Sequence, residues 1–119
     1  MKQTIIELKR KKMFEIGYDA EKNKKSGQDI QLSGDSTLAN SRSITRYCEA
    51  KAFYSIAQDC YEIALNGYMR AYAYAYELED KTLKAYYQSN CTFCKKSAEE
   101  VGRAVRFCDG MLNVSLKKF

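Results

Sequence analysis

Five cysteines are the side chains of this sequence most able to do chemistry, because the chain has no histidine. Cys91 and Cys94 form a Cys-x-x-Cys pair, and Cys108 follows further along. Together with Cys48 or Cys60 they could complete a zinc site, or the pair could be a redox centre at a helix N-terminus. Cysteine is also a small apolar packing residue. Since a second Cys-x-x-Cys is missing, we predict structural cysteines, no metal site and no cofactor.

The missing histidine also excludes several classes of enzyme. Ser-His-Asp triads, Cys-His pairs and HExxH zinc sites all require it, and the acidic residues are more simply read as solvated helix surface. We therefore predict that the protein is not an enzyme and has no catalytic residues. The segment Ser33-Gly34-Asp35-Ser36 has a loop composition that could cradle phosphate, but it lacks the lysine and the glycine spacing of a P-loop.

Basic residues are concentrated at the two ends of the chain. Residues 1–25 carry a net charge of +4 and residues 81–119 a net charge of +5, whereas residues 51–80 carry −3. This distribution suits contact with phosphate, or basic end helices that pack on an acidic central helix. The candidate phosphate- or partner-contacting residues are Lys9, Arg10, Lys11, Lys12, Lys95, Lys96, Arg103 and Arg106.

Tyrosine recurs with a strict spacing. It stands at positions 47, 54, 61 and 68, and alanine follows three places after each of them. Spacings of three and four residues place all eight side chains on one side of an α-helix. This pattern predicts a packing seam, although tyrosines near arginines could also stack on nucleotide bases. The aromatic residues that we expect at a partner interface are Tyr68, Tyr72 and Tyr76.

These patterns predict an all-α fold, a bundle of three to four helices in one domain of 119 residues. Proline is absent, which favours long helices. We predict a helix over 3–22, a loop-rich connection over 23–42, a central helix or helix pair over 43–88 and a C-terminal helix over 90–118. The last helix has a narrow apolar stripe, and Cys91, Cys94 and Cys108 lie in its register.

The dipeptide Asn66-Gly67 decides between the two forms of the central segment. Asn-Gly is a strong turn signal, yet Tyr68 and Ala71 keep the heptad phase, so we favour a helix that continues through Gly67 and is bent there at most. An unbroken helix over 44–88 would be ~68 Å long. With residues 23–42 in a loop, its apolar side would need a second copy, whereas a turn at Gly67 would give a monomeric four-helix bundle.

Two classes of function remain. The first is a non-catalytic interaction protein, an adaptor, chaperone or inhibitor that contacts a protein partner and self-associates, with a dimer favoured. The second is binding of nucleic acid, a nucleotide or another phosphate ligand through basic helix faces and tyrosines. The first residues show no signal-peptide pattern, and no apolar run approaches the ~20 residues of a membrane span. We therefore expect a cytoplasmic protein with reduced thiols and no membrane partner.

Overall fold

The structure, a computed structural model, describes residues 2–117 and consists of three long helices. α1 spans Lys2–Asn40, α2 spans Ile44–Glu77 and α3 spans Lys81–Leu116. The connections at 41–43 and 78–80 are short, so successive helices are antiparallel, and the molecule is a rod with dimensions of 70 × 18 × 16 Å. The all-α class is confirmed, with three helices. Within residues 2–117, no helix combines the length and the apolar content needed to cross a membrane.

α2 lies between the other two helices and packs along both of them, whereas α1 and α3 approach each other closely at few points. The buried side of α2 is the tyrosine and alanine seam that the spacing predicted. The buried side of α3 also repeats every seven residues, at Tyr87, Cys94, Val101 and Cys108. Both seams therefore follow the coiled-coil rhythm, in which a seven-residue repeat keeps one face towards its neighbour.

Glycines on α1 make room for the tyrosine rings of α2. A Cβ added at Gly27 would lie 3.1 Å from the ring of Tyr61, and one added at Gly34 would lie 2.8 Å from the ring of Tyr54. The two glycines are seven residues apart, and so are the two tyrosines, so the repeats of α1 and α2 pack in step. The loop-rich connection predicted for 23–42 is therefore wrong. Each glycine costs a helix about 1 kcal/mol relative to alanine, but burial of a tyrosine ring against it offsets that cost.

α2 continues through Gly67, as the phase of the heptads predicted. Gly67 lies against Ala20 of α1, where an added Cβ would be 2.9 Å from the Ala20 Cβ. The glycine thus allows two helix backbones to approach closely instead of forming a turn. The chain reverses twelve residues later, where Glu79 has a φ of 56° and the Asp80 side chain caps α3 by accepting a hydrogen bond from the Leu83 N–H.

α3 begins nine residues before the start that the sequence predicted. The boundary expected near Ser89 and Asn90 lies inside the helix, where the Asn90 side-chain amide donates to the backbone carbonyl of Tyr86. Because α1 and α3 have 39 and 36 residues and α2 has 34, the outer helices cover the central seam along its length. The need for a second copy to cover an exposed central helix therefore disappears. Residue 118, included in the predicted last helix, lies outside the described residues.

Candidate functional site

The heptad tyrosines are core residues, and the hydroxyl groups of Tyr54, Tyr61 and Tyr68 reach α1. Tyr61 and Tyr68 are 1% and 0% exposed. The prediction that Tyr68 lies at an accessible interface is therefore wrong. The Tyr61 hydroxyl donates to Gln31 Oε1 at 2.7 Å, and the Tyr68 hydroxyl donates to the carboxylate of Glu21. Burial raises the pKa of Tyr61 to about 12, and burial together with the Glu21 carboxylate raises the pKa of Tyr68. Both phenols therefore stay neutral donors.

The other two predicted interface aromatics differ in their exposure. Tyr72 is half-buried and packs against the core cluster that contains Tyr68. Tyr76 is 65% exposed, and the Lys84 Nζ lies 5.3 Å from its ring centroid. Of the three predicted aromatics, Tyr76 is therefore the one that presents most of its ring to solvent.

The cysteines of α3 are packing residues with protonated thiols. All five cysteines of the chain are free, Cys94 and Cys108 are buried, and Cys91 packs against the core. Burial raises the pKa of Cys94 to about 11 and also raises the pKa of the other two. Since α3 begins at Lys81, the Cys-x-x-Cys pair lies well inside a helix and not at its N-terminus.

The same helix rules out the zinc arrangement considered from the sequence. Cys108 follows Cys94 by fourteen residues, which places the two thiols about 21 Å apart along the helix axis. Each thiolate that binds zinc lies ~2.3 Å from the ion, so two thiolates on one ion are at most about 4.6 Å apart. Among residues 2–117, no three cysteine, aspartate or glutamate side chains are placed to hold one metal ion.

The two predicted basic clusters lie in different parts of the rod. Lys9 forms an ion pair with Glu77 at the end of α2, with 3.0 Å between Lys9 Nζ and the carboxylate. Arg10, Lys11 and Lys12 are exposed on α1. Antiparallel packing on α2 places these residues level with the first turn of α3, about 20 Å along the rod from Lys95. The structure therefore does not bring the two clusters into one site.

Three cations of the second cluster share one groove between α2 and α3. The groove has a volume of about 370 Å³, and the predicted residues that line it are Lys95, Arg103 and Arg106. Lys96 is exposed on α3 but does not line the groove. Glu62 and Glu99 do line it. Their carboxylates offset part of the positive charge and weaken the attraction of the groove for phosphate.

α3 also carries an exposed stripe that was not predicted from the sequence. We call it the aromatic stripe and define it as Tyr86, Phe93, Phe107 and Val114. These residues are 49%, 39%, 46% and 52% exposed, respectively. They occupy successive places of a seven-residue repeat, with Glu100 in the remaining place, so they share one helix face. The seven-residue spacing was a signal available in the sequence. It was overlooked because the cysteine stripe on the adjacent face is more regular.

Phe93 places this stripe at the opening between α1 and α3. Its ring centroid lies 6.4 Å from that of Tyr61, and the Lys24 Nζ of α1 lies 5.0 Å from it. A crevice of about 310 Å³ opens here. Its lining combines apolar side chains such as Leu32, which is 63% exposed, with the carboxylates of Asp35 and Glu100. We call it the acidic crevice.

A different groove, of about 620 Å³, lies between α1 and α2 around Gly67. Its apolar lining includes Ile16, Ala20 and Ile63, and Ile63 is 57% exposed. The groove is wide and shallow, and it forms where Ala20 and Gly67 bring the two helices close together. Its charged walls carry both signs, since Arg70 lies among aspartates and a glutamate.

No protein-family model matches the chain, and no curated protein and no solved structure matches it either.

Proposed function

We propose that this protein is a non-catalytic interaction protein, of the adaptor, chaperone or inhibitor type, that binds a protein partner through the face between α1 and α3. The observation that supports this proposal is the aromatic stripe on α3. Single exposed apolar residues are common on protein surfaces, but four of them along one helix face, interrupted here by Glu100, favour an interaction site. Phenylalanine and tyrosine are enriched at such sites because they contribute a large contact area at a small entropy cost.

α1 contributes apolar side chains to the same face. Phe14 is 53% exposed and precedes the crevice residues Gln28 and Asp35 by two and three heptads, so it shares their helix face. Leu32 lies at the crevice itself. A partner helix laid over this opening would contact α1 and α3 together, as the fourth helix of a bundle does.

Beneath this face, α1 and α3 meet at only a few places. Tyr87 of α3 touches α1 at Gly17, where an added Cβ would be 3.0 Å from the tyrosine ring. Lys24 Nζ of α1 donates to Asn90 Oδ1 of α3 at 2.9 Å. These contacts span the gap without closing it, so the aromatic stripe remains accessible from outside.

The proposal assigns packing roles to the residues that could otherwise do chemistry. The raised pKa values of Cys91, Cys94 and Cys108 keep these thiols protonated at neutral pH, and a protonated thiol is a poor nucleophile. Five free thiols also suit a reducing compartment. We therefore keep the cytoplasm as the proposed location.

Site-specific photocrosslinking in cells that make the protein tests the face. A photoreactive phenylalanine analogue replaces Phe93 or Phe107, and a matched control places it at Met69, which is 57% exposed on α2. We expect crosslinked protein products from the first two positions and none from the control. Equal crosslinking at all three positions, or no product from either stripe position, would contradict the proposed face.

The alternative proposal is a phosphate-binding protein that uses the groove between α2 and α3. It is supported by the convergence of Lys95, Arg103 and Arg106 on one groove. The test is fluorescence anisotropy of a labelled single-stranded oligonucleotide over a range of salt concentrations. Three neutralised phosphates predict a slope of about −2 for the logarithm of affinity against that of salt.

Glutamine at all three positions should abolish that slope, whereas Lys22→Gln with Lys25→Gln on the exposed side of α1 should not. Affinity that does not depend on salt would reject phosphate binding at this groove.

A further inference from the structure

We infer that a second copy of this chain occupies the face between α1 and α3, in an antiparallel pair related by a two-fold axis. This pairing rests on the interaction face proposed above and names one partner for it. It is derived from two features of the rod, the N-terminal end of α1 and the acidic crevice, which carry opposite charges.

α1 extends beyond the rest of the rod at its N-terminal end. Ala20 lies against Gly67, and the two helices are antiparallel, so Arg10 is level with Glu77, the last residue of α2. The residues before Arg10 project past α2 by about 12 Å. We call residues 2–12 the N-terminal segment. Three of its apolar side chains are 52%, 37% and 62% exposed, namely Ile5, Ile6 and Leu8.

The N-terminal segment and the acidic crevice match in their chemistry. The segment carries five basic residues and one acidic residue, a net charge of +4. Arg10 and Lys11 precede the crevice residues Gln31 and Leu32 by three heptads, so they lie on the crevice side of α1, as does Glu7. The crevice offers apolar contact at Leu32 and Phe93, and its charged lining residues are Asp35 and Glu100. Opposite charges on the two contacting surfaces fix the register of an interface and favour this pair over a pairing of like charges.

A single two-fold axis places the N-terminal segment of each copy on the acidic crevice of the other copy. Residue 7, the middle of the segment, is 24 residues from Gln31 at the crevice, or about 36 Å along α1. An axis halfway between them passes near residue 19. Tyr18 there is 64% exposed and precedes Leu32 by two heptads, so it lies on the crevice side of α1.

α3 presents a matching aromatic residue at the level of this axis. Tyr87 lies against Gly17, so the neighbouring Tyr86, which is 49% exposed, is level with Tyr18. The two copies would therefore meet through exposed tyrosines at the centre and through charged contacts at both ends. Such an isologous pair is closed, so it does not extend into a filament.

The area available is sufficient for a stable dimer. The face from Ile5 to Leu32 is about 40 Å long at 1.5 Å per residue, and the rod is 18 Å wide. The product, about 700 Å² per copy, is close to the ~800 Å² per partner of a standard stable interface.

Multi-angle light scattering of the purified full-length chain is the first measurement. We expect twice the chain mass of 13.7 kDa at micromolar concentration. Tyr18→Asp places two carboxylates against each other at the axis, and it should give a monomer with an unchanged helical circular dichroism spectrum. A wild-type monomer at high micromolar concentration would overturn the pairing.

Charge reversal tests the register. Glu100→Lys should weaken the dimer by about tenfold or more, because each contact occurs twice across the axis. Adding Arg10→Glu and Lys11→Glu to this variant should restore much of the affinity. The matched control, Asp59→Lys on the exposed side of α2, makes the same change of charge outside the face and should leave the dimer intact.

Other outcomes would assign the face differently. A dimer that resists Tyr18→Asp and Glu100→Lys but dissociates with Ile63→Asp would show that the copies meet at the groove between α1 and α2, and the pairing would be wrong. A monomeric chain that still crosslinks to a different protein from position 93 would overturn the second copy as the occupant and leave the proposed interaction function standing.

Discussion

Replacement of Gly67 by alanine separates two physical effects that predict opposite changes in the free energy of unfolding. In an exposed helix interior, alanine is more favourable than glycine by about 1 kcal/mol, so helix propensity alone predicts a more stable protein. In the structure, however, the new Cβ would lie 2.9 Å from the Cβ and 3.5 Å from the Cα of Ala20. Neither atom is at the end of a flexible side chain, so α1 and α2 would have to move apart.

The expected magnitude follows from these two effects. Overpacking of a close contact costs typically about 1–3 kcal/mol, and the gain in propensity recovers about 1 kcal/mol of that. We therefore expect Gly67→Ala to lower the free energy of unfolding by about 1 kcal/mol, or the melting temperature by about 4 °C in a domain of this size. Urea unfolding followed by circular dichroism measures this, with an unchanged slope m as the sign of two-state behaviour.

Two further variants make the test specific to the contact with Ala20. No side chain or neighbouring helix lies within 4 Å of a Cβ added at Gly110, so Gly110→Ala should stabilise the protein by up to about 1 kcal/mol. Adding Ala20→Gly to Gly67→Ala removes the opposing methyl group and should give a favourable coupling energy of about 1 kcal/mol. If Gly67→Ala stabilises the protein as much as Gly110→Ala does, the close approach of the two backbones is refuted.

Three other predictions follow from the core. Tyr68→Phe removes a hydrogen bond to a carboxylate and should destabilise the protein by about 1.5–3 kcal/mol in urea unfolding, whereas the exposed control Tyr76→Phe should change stability by less than about 0.5 kcal/mol. Because the folded pKa of Tyr61, about 12, lies above the ordinary value of 10, its contribution to stability is complete below pH 10 and is lost as the pH rises from 10 through 12; a urea midpoint that stays constant across this window would contradict it. Ellman's reagent should react rapidly with the exposed Cys48 and react with the buried Cys94 only on unfolding; a fast phase that is lost in Cys94→Ser but kept in Cys48→Ser would show the reverse order.

The sequence was sufficient to predict that α2 continues through Gly67, because its repeat is both strict and buried, but the predicted segment 43–88 extends past the end of α2 at Glu77. The phase of Tyr68 and Ala71 carried the helix through Gly67, and the structure has the same continuous helix. The local turn signal of Asn-Gly failed because a helix held on two sides tolerates one glycine. Periodicity was therefore the better guide than composition in this part of the chain.

The sequence was insufficient for α1 because the reason for its helix lies on another element. Gly27 and Gly34 have the composition of a loop when read alone, and the turn-forming residues around them strengthen that interpretation. Their helical state depends on the rings of Tyr54 and Tyr61, which become neighbours only after α1 and α2 pair. The shared spacing of seven residues was the one signal that could have linked them.

The candidate interaction face could be predicted only in part. The basic residues of α3 were correctly placed on its surface, but which of them converge on a groove depends on the position of α2. Tyr68 was predicted at an interface because tyrosines are common there, and it is buried because α1 covers it. The exposure of Phe93 and Phe107 likewise depends on how far α3 stands from α1, which no local pattern encodes.

The repeat shared by α1 and α2 determines whether α1 can slip along α2 and how the rod can be lengthened. A shift of α1 by one repeat would place Gly27 where Gly34 now lies, so the ring-on-glycine contacts alone do not prevent slippage. The same shift would bring Met13 to the place of Ala20, against Gly67, where there is no room for it. One bulky residue at the end of a row of small ones therefore blocks slippage in this direction. Conversely, seven residues added to all three helices together would lengthen the rod by about 10 Å and leave every existing contact in step.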